Sequence, residues 1–542
     1  MMRSKRIDPA YRRFGRSGRA GSLSVLIFGA IFLLGVLILM LALLSVPTRA
    51  AGRRLVLYCA AGLRGPVAEI AAKYREEYGV AVEIQYGGSN TLLSQIAVNR
   101  GGPADLYLAG DDFYTDRARA QGLADETIPV AVMRPVIAVA KGNPKRIGGL
   151  GDLLREDVRV ALGNPEQAAV GRAVEQSLAS AARLTVAWEA LRDHVTANGV
   201  FKPTVSEVAN DVKVGAVDAG IIWNATAAMP AYREHLDAIE VPAFAAAENR
   251  VTVAVLRATR DATAALHFAR YLSARDRGLP VFAAHGFEPV DGDVWADRPE
   301  ITFFCGAVNR RAVDDVIKAF SKREGVTVNT VYNGCGILTG QMRTLRDQHA
   351  GRGFPDVYMA CDRYYLKTVA DWFQEDVDVS DAAIVIAVPR GNPAGIQSLE
   401  DLTKAGVRVA LGQPEQCTIG VLTRTLLENE NLLDRVMKNV VMQTASSAML
   451  VPAVATGSVD AAIAYVTDTI AESDKVDAVQ IDSPYARAVQ PFSIARSSDH
   501  KQLARRLFEA IAASRETFES AGFHFRLGPA QTAPATQEGS PS

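Results

Sequence analysis

The stretch Val158–Gly171, VRVALGNPEQAAVG, returns later in the chain as Val407–Gly420, VRVALGQPEQCTIG. Other pairs keep the same order around it. Tyr58-Cys59-Ala60-Ala61 answers to Phe304-Cys305-Gly306-Ala307, Tyr86-Gly87-Gly88-Ser89 to Tyr332-Asn333-Gly334-Cys335, and Ala104-Asp105-Leu106-Tyr107 to Pro355-Asp356-Val357-Tyr358. Gly142-Asn143-Pro144 answers to Gly391-Asn392-Pro393, and Gly215-Ala216-Val217-Asp218-Ala219 to Gly457-Ser458-Val459-Asp460-Ala461. Each copy closes on a Gly-Phe pair, Gly286-Phe287 and Gly522-Phe523. Solenoid units are only about 20 to 50 residues long, so a repeat with the period of a large domain is a duplicated domain.

The 542 residues can bury two cores, and 49% hydrophobic with 22% charged residues is ordinary globular composition. A formal net charge of -1 supplies no basic field for nucleic acid, and no aromatic and basic stripe suggests that partner. The basic residues Arg3 to Arg19 precede an uncharged stretch from Ala20 to Thr48, long enough to span a bilayer. The positive cluster should stay cytoplasmic and place the bulk of the chain on the periplasmic or extracytoplasmic side. A cleaved signal peptide is the competing reading, since Thr48-Arg49-Ala50 loosely resembles a cleavage site, but its apolar region would normally be shorter. The expected divisions are a cytoplasmic segment 1–21, a transmembrane signal anchor 22–46, a first domain 53–290, a linker 291–300, a second domain 301–527 and a disordered tail 528–542.

Within each copy short apolar strands alternate with amphipathic helices: strand Arg54 to Cys59, helix Val67 to Tyr78, strand Ala81 to Tyr86, helix Leu92 to Asn99, strand Asp105 to Ala109. That alternation predicts an α/β fold with parallel strands, and a second set of strands after Val130 predicts a second α/β lobe joined by a hinge. Ligands of open α/β sheets sit beyond the carboxyl ends of strands, so two facing lobes place the site in the cleft between them. Four loops of the first copy meet that condition. They begin at Ala60-Ala61-Gly62, Gly87-Gly88-Ser89, Gly163-Asn164-Pro165-Glu166 and Thr204-Val205-Ser206, and each leads into a helix. Free N–H groups and the positive dipole end make such helix starts anion sites.

These loops, the Gly-x-Pro-Glu-x3-Gly strand ending and the run Val217-Asp218-Ala219-Gly220-Ile221-Ile222-Trp223 resemble the molybdate-binding periplasmic proteins of ABC importers, type II solute-binding proteins with two α/β lobes. The resemblance spans nearly all of both copies. It implies a receptor, not an enzyme, without cofactor or metal. The partners it implies are ABC permease subunits and a small oxyanion such as molybdate or tungstate, held by serine hydroxyls, backbone N–H groups and a tyrosine hydroxyl. Carried over by motif, the ligand residues are Ala61, Gly62, Gly88, Ser89, Val170, Val205 and Trp223 in the first copy, and Ala307, Val308, Gly334, Cys335, Ile419, Ser447 and Tyr465 in the second. The first serine of the family is Gly62 or Val308 here, the second is Ser89 or Cys335, and the tyrosine is Trp223 or Tyr465.

Alternatives remain open at this stage. Ser89 stands where a plain helix-capping serine would also stand, and the loop glycines suit tight turns alone. Asp105, Asp356, Asp218 and Asp460 read as structural, because carboxylates facing an anion would repel it. Arg64 and Arg310 could draw an anion to the cleft mouth or simply be solvated. Cys305, Cys335, Cys361 and Cys417 all map to the second cleft, which suggests soft-metal or thiol-redox use, though cysteine is also a small buried hydrophobe. A membrane-anchored sensor or scaffold with degenerate clefts is the remaining alternative. No nucleophile elbow, metalloprotease helix or P-loop is present.

Overall fold

A computed structural model describes residues 54–180, 186–245, 248–349 and 353–528. The expected membrane anchor 22–46, the basic segment before it and all but the first residue of the tail lie outside those residues. Among the described residues no helix is long and apolar enough to cross a membrane.

The strand Arg54–Ala60 buries Leu55, Leu57 and Cys59 in strict alternation and pairs in parallel with Ala81–Gly87 and Leu106–Ala109. Asn249–Leu256 then pairs antiparallel to Leu106–Ala109, and Ala124–Met133 pairs antiparallel to Asn249–Leu256. This six-stranded sheet is the floor of the first lobe. Val160–Gly163, Val200–Lys202, Ala219–Trp223, Pro135–Ala140 and Leu236–Ile239 form the five-stranded sheet of the second lobe. The chain crosses between the lobes through the successive strands Ala124–Met133 and Pro135–Ala140.

The second copy repeats every one of these pairings. Its crossing strand, Phe373–Pro389, runs unbroken through both lobes, so the two sheets join into one of ten strands. Equivalent carboxylates start equivalent strands: Asp105 accepts from the N–H of Val56 at 2.9 Å and Asp356 from that of Thr302 at 2.8 Å. Asp218 and Asp460 do the same for Arg159 and Arg408, at 2.9 and 2.8 Å. All four are structural, as expected.

The repeated Gly-x-Pro-Glu motif has a local cause. Asn164 accepts at its side chain from the N–H of Glu166 (2.8 Å) and at its carbonyl from those of Gln167 (3.0 Å) and Ala168 (2.8 Å), folding the loop back onto the strand end. A β-carbon on Gly171 would collide with the Gly163 carbonyl, so the helix Ala169–Ser180 can start here only with glycine.

The segment 291–300 between the copies is docked. The Asp293 carboxylate accepts from the N–H groups of Gln502 and Leu503 at 2.8 and 2.9 Å, in the first turn of the helix Lys501–Ala512. Trp295 donates to the Tyr78 hydroxyl at 3.1 Å. Beside it lies a buried ionic triad. Glu324, 1% exposed, takes Arg270 of the first copy at 2.9 Å and Arg506 of the second at 2.6 Å. Burial alone would raise the Glu324 carboxyl, but Arg506 and Arg270 outweigh it and hold the group below the ordinary carboxylate range.

Candidate functional site

In the first copy the lobes are in contact along the strand ends. A β-carbon on Gly88 would lie 2.5 Å from the carbonyl oxygen of Gln167 and 2.8 Å from that of Pro203, both in the opposite lobe. Asn90 completes the seam, donating from Nδ2 to the carbonyl of Glu166 at 2.5 Å and from its N–H to that of Gln167 at 3.3 Å. Arg172 of one lobe pairs with the buried Asp111 of the other and lies 4.0 Å over the Phe113 ring.

Behind this seam is a small, half-open cavity of ≈ 20 Å³. About 10 to 15 Å³ suffices for one water, so it takes one compact body. Ala61, Gly62, Gly88, Ser89, Val170, Val205 and Trp223 all line it, joined by Gly110, Met133, Ala169 and Thr204. No charged residue is among its lining residues. The helices Ser89–Val98, Ala169–Ser180 and Val205–Lys213 begin at its wall, where first-turn N–H groups have no partner within their own helix. A wider open groove of ≈ 980 Å³ runs past Asn90, Gln95, Phe113 and Arg172, outside the seam. It is more open to solvent than the small cavity, which makes it the mouth of the cleft.

Ser89 corrects the capping expectation. Gly88 is the N-cap, and Ser89 is the first helical residue, with no cap bond from its side chain. Ser89 is 2% exposed, and its hydroxyl accepts from the N–H of Gly110 at 3.3 Å. Its carbonyl is held by the Tyr107 hydroxyl at 2.7 Å. Gly62 is also explained by contact, since a β-carbon there would lie 2.8 Å from Cγ1 of Val205.

The second cleft is closed in the same way. A β-carbon on Gly334 would lie 2.7 Å from the carbonyl oxygen of Gln416 and 2.8 Å from that of Ala445, and the Tyr365 hydroxyl donates across the seam to Pro414 at 2.8 Å. Ala307 and Val308 lie on the short 3-10 turn Ala307–Asn309, Cys335 opens the helix Cys335–His349, and Ile419 lies in Thr418–Asn429. Ser447 opens the 3-10 turn Ser447–Met449, and Tyr465 ends the strand Ala461–Tyr465. The Tyr465 hydroxyl is buried with no hydrogen-bond partner among the described residues, and burial keeps it protonated.

Two polar groups escaped the sequence reading. Thr226 follows Trp223 into the short helix Asn224–Ala228, and its hydroxyl lies 3.8 Å from where a Gly62 β-carbon would be. The equivalent residue of the second copy is Asp468. Burial pushes its carboxyl up to about 6, against the pull of Ser447 and Arg311. The only available signal was a polar residue three positions past the aromatic one. Arg64 and Arg310 lie 4.1 and 5.1 Å over the rings of Tyr86 and Tyr332. Of the four second-copy cysteines only Cys335 and Cys361 touch through sulfur, and no three metal-ligating side chains are grouped among the described residues. The four-cysteine metal cluster is therefore replaced by a pair.

Two α/β lobes meeting along a seam of strand ends, twice in one chain, define a tandem two-lobed binding protein. The chain belongs to the bacterial extracellular solute-binding protein family, whose sequence model matches residues 55–288 and again 301–524. A putative binding protein of Haemophilus influenzae is 25% identical over 235 residues, 43% of this chain and 91% of that protein. Molybdate-binding protein ModA of Mycobacterium bovis is 28% identical over 232 residues, 42% of this chain and 82% of that protein. Among solved structures, the periplasmic molybdate-binding protein of Azotobacter vinelandii is 19% identical, covering 43% of this chain and 98% of its own, with a TM-score of 0.36.

Proposed function

We propose that the chain is an extracytoplasmic receptor of an ABC importer for a small oxyanion of the molybdate or tungstate type, and that the first cleft is the anion site. One observation carries the reading: the first cavity is small, walled by three helix starts and lined by no charged side chain. A carboxylate there would repel an anion, and a lysine or arginine would make the dipoles superfluous. N–H groups fixed by helix geometry and the Ser89 hydroxyl can hold a desolvated anion without a countercharge. The similarity to molybdate-binding proteins supports the same ligand class. The N-terminal stretch 22–46 tethers the receptor to the membrane, and a separate permease receives the ligand.

Isothermal titration of the full chain with molybdate, tungstate, sulfate and phosphate tests this. One tetrahedral oxyanion should bind at one site per chain, and Ser89→Ala should weaken it. Absence of saturable heat with all four anions would refute the reading.

The second cleft favours a different role. Asp468 and the sulfur pair stand where the first cleft has Thr226, Ser89 and Gly110, which argues against an anion there. In this reading the second domain is a degenerate copy kept for sensing or for contacts.

A further inference from the structure

The thiols of Cys335 and Cys361 meet inside the second cleft, with Sγ atoms 2.9 Å apart. The N–H of Cys361 also donates to the Cys335 sulfur, at 3.1 Å. The buried hydroxyls of Tyr358 and Thr418 stand near the same sulfur without reaching hydrogen-bond geometry, Thr418 on the opposite lobe. Cys335 is the first residue of a fifteen-residue helix, where the dipole favours a thiolate.

Three positions around this pair differ between the two copies. The first copy has Ala60, Ser89 and Gly110 where the second has Gly306, Cys335 and Cys361. A β-carbon on Gly306 would collide with both sulfurs, so the glycine supplies the floor space that the pair occupies. Cys305 and Cys417 point elsewhere, their thiols directed at the carbonyls of Gly306 (3.7 Å) and Thr444 (3.5 Å).

We propose that Cys335 and Cys361 are a redox pair that closes to a disulfide by exchange with a low-mass or protein disulfide while the second cleft is open. Cys335 thiolate attacks the oxidant's S–S bond, forms a mixed disulfide and expels one thiolate. Cys361 gives its proton to that thiolate and attacks the Cys335 sulfur, expelling the second thiolate. One protein thiolate, one protein thiol and the oxidant's disulfide thus become one protein disulfide, with one thiol and one thiolate released from the oxidant. The hydrogen bonds divide the roles. Burial raises the Cys335 thiol, but its donors outweigh that and hold it below the usual range. The bond to Cys335 and then burial push the Cys361 thiol well up. Both residues are buried, Cys335 at 0% and Cys361 at 5% exposure, beneath the loop carrying Glu415 to Thr418. Reaction therefore requires the lobes to part, and closure shields the pair. An exported chain meets the oxidising conditions this needs. The inference does not depend on which anion the first cleft takes.

The test uses the full reduced chain held in excess oxidised glutathione, then alkylated with N-ethylmaleimide under denaturing conditions and mapped by mass spectrometry without reduction. The expected product is a peptide pair joined through Cys335 and Cys361, with Cys59, Cys305 and Cys417 alkylated, and dithiothreitol reverses it. Cys361→Ser should trap glutathione on Cys335, while Cys305→Ser should leave the disulfide intact. Five alkylated cysteines at equilibrium, or a link through Cys305 or Cys417, would overturn the proposal.

Discussion

The two clefts share their backbone and differ in what fills them. In the first, loop one presents Gly62 and loop four presents Val205, and the valine packs against the glycine. In the second the bulk has moved across, to Val308 on loop one facing a loop four that begins at Ser447. Each cleft therefore keeps one valine at the seam, a nearly volume-conserving exchange of the kind cores tolerate. The polar groups did not compensate in this way. Ser89 became Cys335, Thr226 became Asp468 and Gly110 became Cys361, so the second cleft gained a carboxylate and two thiols. Packing that closes the lobes has been kept in both copies, while the chemistry inside has diverged. Closure and ligand choice are thus separable properties of this fold.

The joint offers the largest expected effect, because it holds the two clefts in one body. Glu324→Ala leaves Arg270 and Arg506 buried without a counter-ion and should cost about 3 to 5 kcal/mol in urea unfolding. Because the folded carboxyl lies below its unfolded value, its contribution is present at neutral pH and is lost as pH falls through the folded value. Two separate unfolding transitions in the variant would show that this triad is what makes the two copies unfold together.

Gly88→Ala should come next. A β-carbon 2.5 Å from the Gln167 carbonyl blocks closure of the first cleft but leaves the open lobes folded. Anion affinity should fall by about a hundredfold, or roughly 3 kcal/mol, with little change in melting temperature. Unchanged affinity would mean that the site does not depend on closure.

Ser89→Ala removes one hydroxyl from the first cleft and should weaken anion binding by about 1.5 to 3 kcal/mol in calorimetry. Asp468→Asn should have the smallest effect, and it sharpens the electrostatic contrast. The folded Asp468 carboxyl lies near 6, above its unfolded value, so wild-type stability should decline as pH rises to that point. The variant should flatten that slope in thermal melts across pH, and an unaltered slope would remove Asp468 from the buried wall of the second cleft.

Much of this was legible in the residues. Alternation of apolar positions predicted a strand Arg54 to Cys59, observed as Arg54–Ala60, and the repeated Gly-x-Pro-Glu predicted a strand ending turned into a helix. Sequence reading misplaced the cap at Ser89, because serine caps are common and a glycine cap followed by a helical serine looks identical in one dimension. It noticed four cysteines around one cleft but not which two meet.

The sequence by itself determined the duplication, the α/β class, the loops that reach the cleft and the substitutions that distinguish the copies, since each is carried by local pattern and order. Only the tertiary structure decided that Gly62 makes room for Val205, that Gly306 makes room for two sulfurs, and that Glu324 is shared between the domains. These are contacts between atoms far apart in the chain, and their energies depend on distance and burial, which exist only once the lobes and domains have packed.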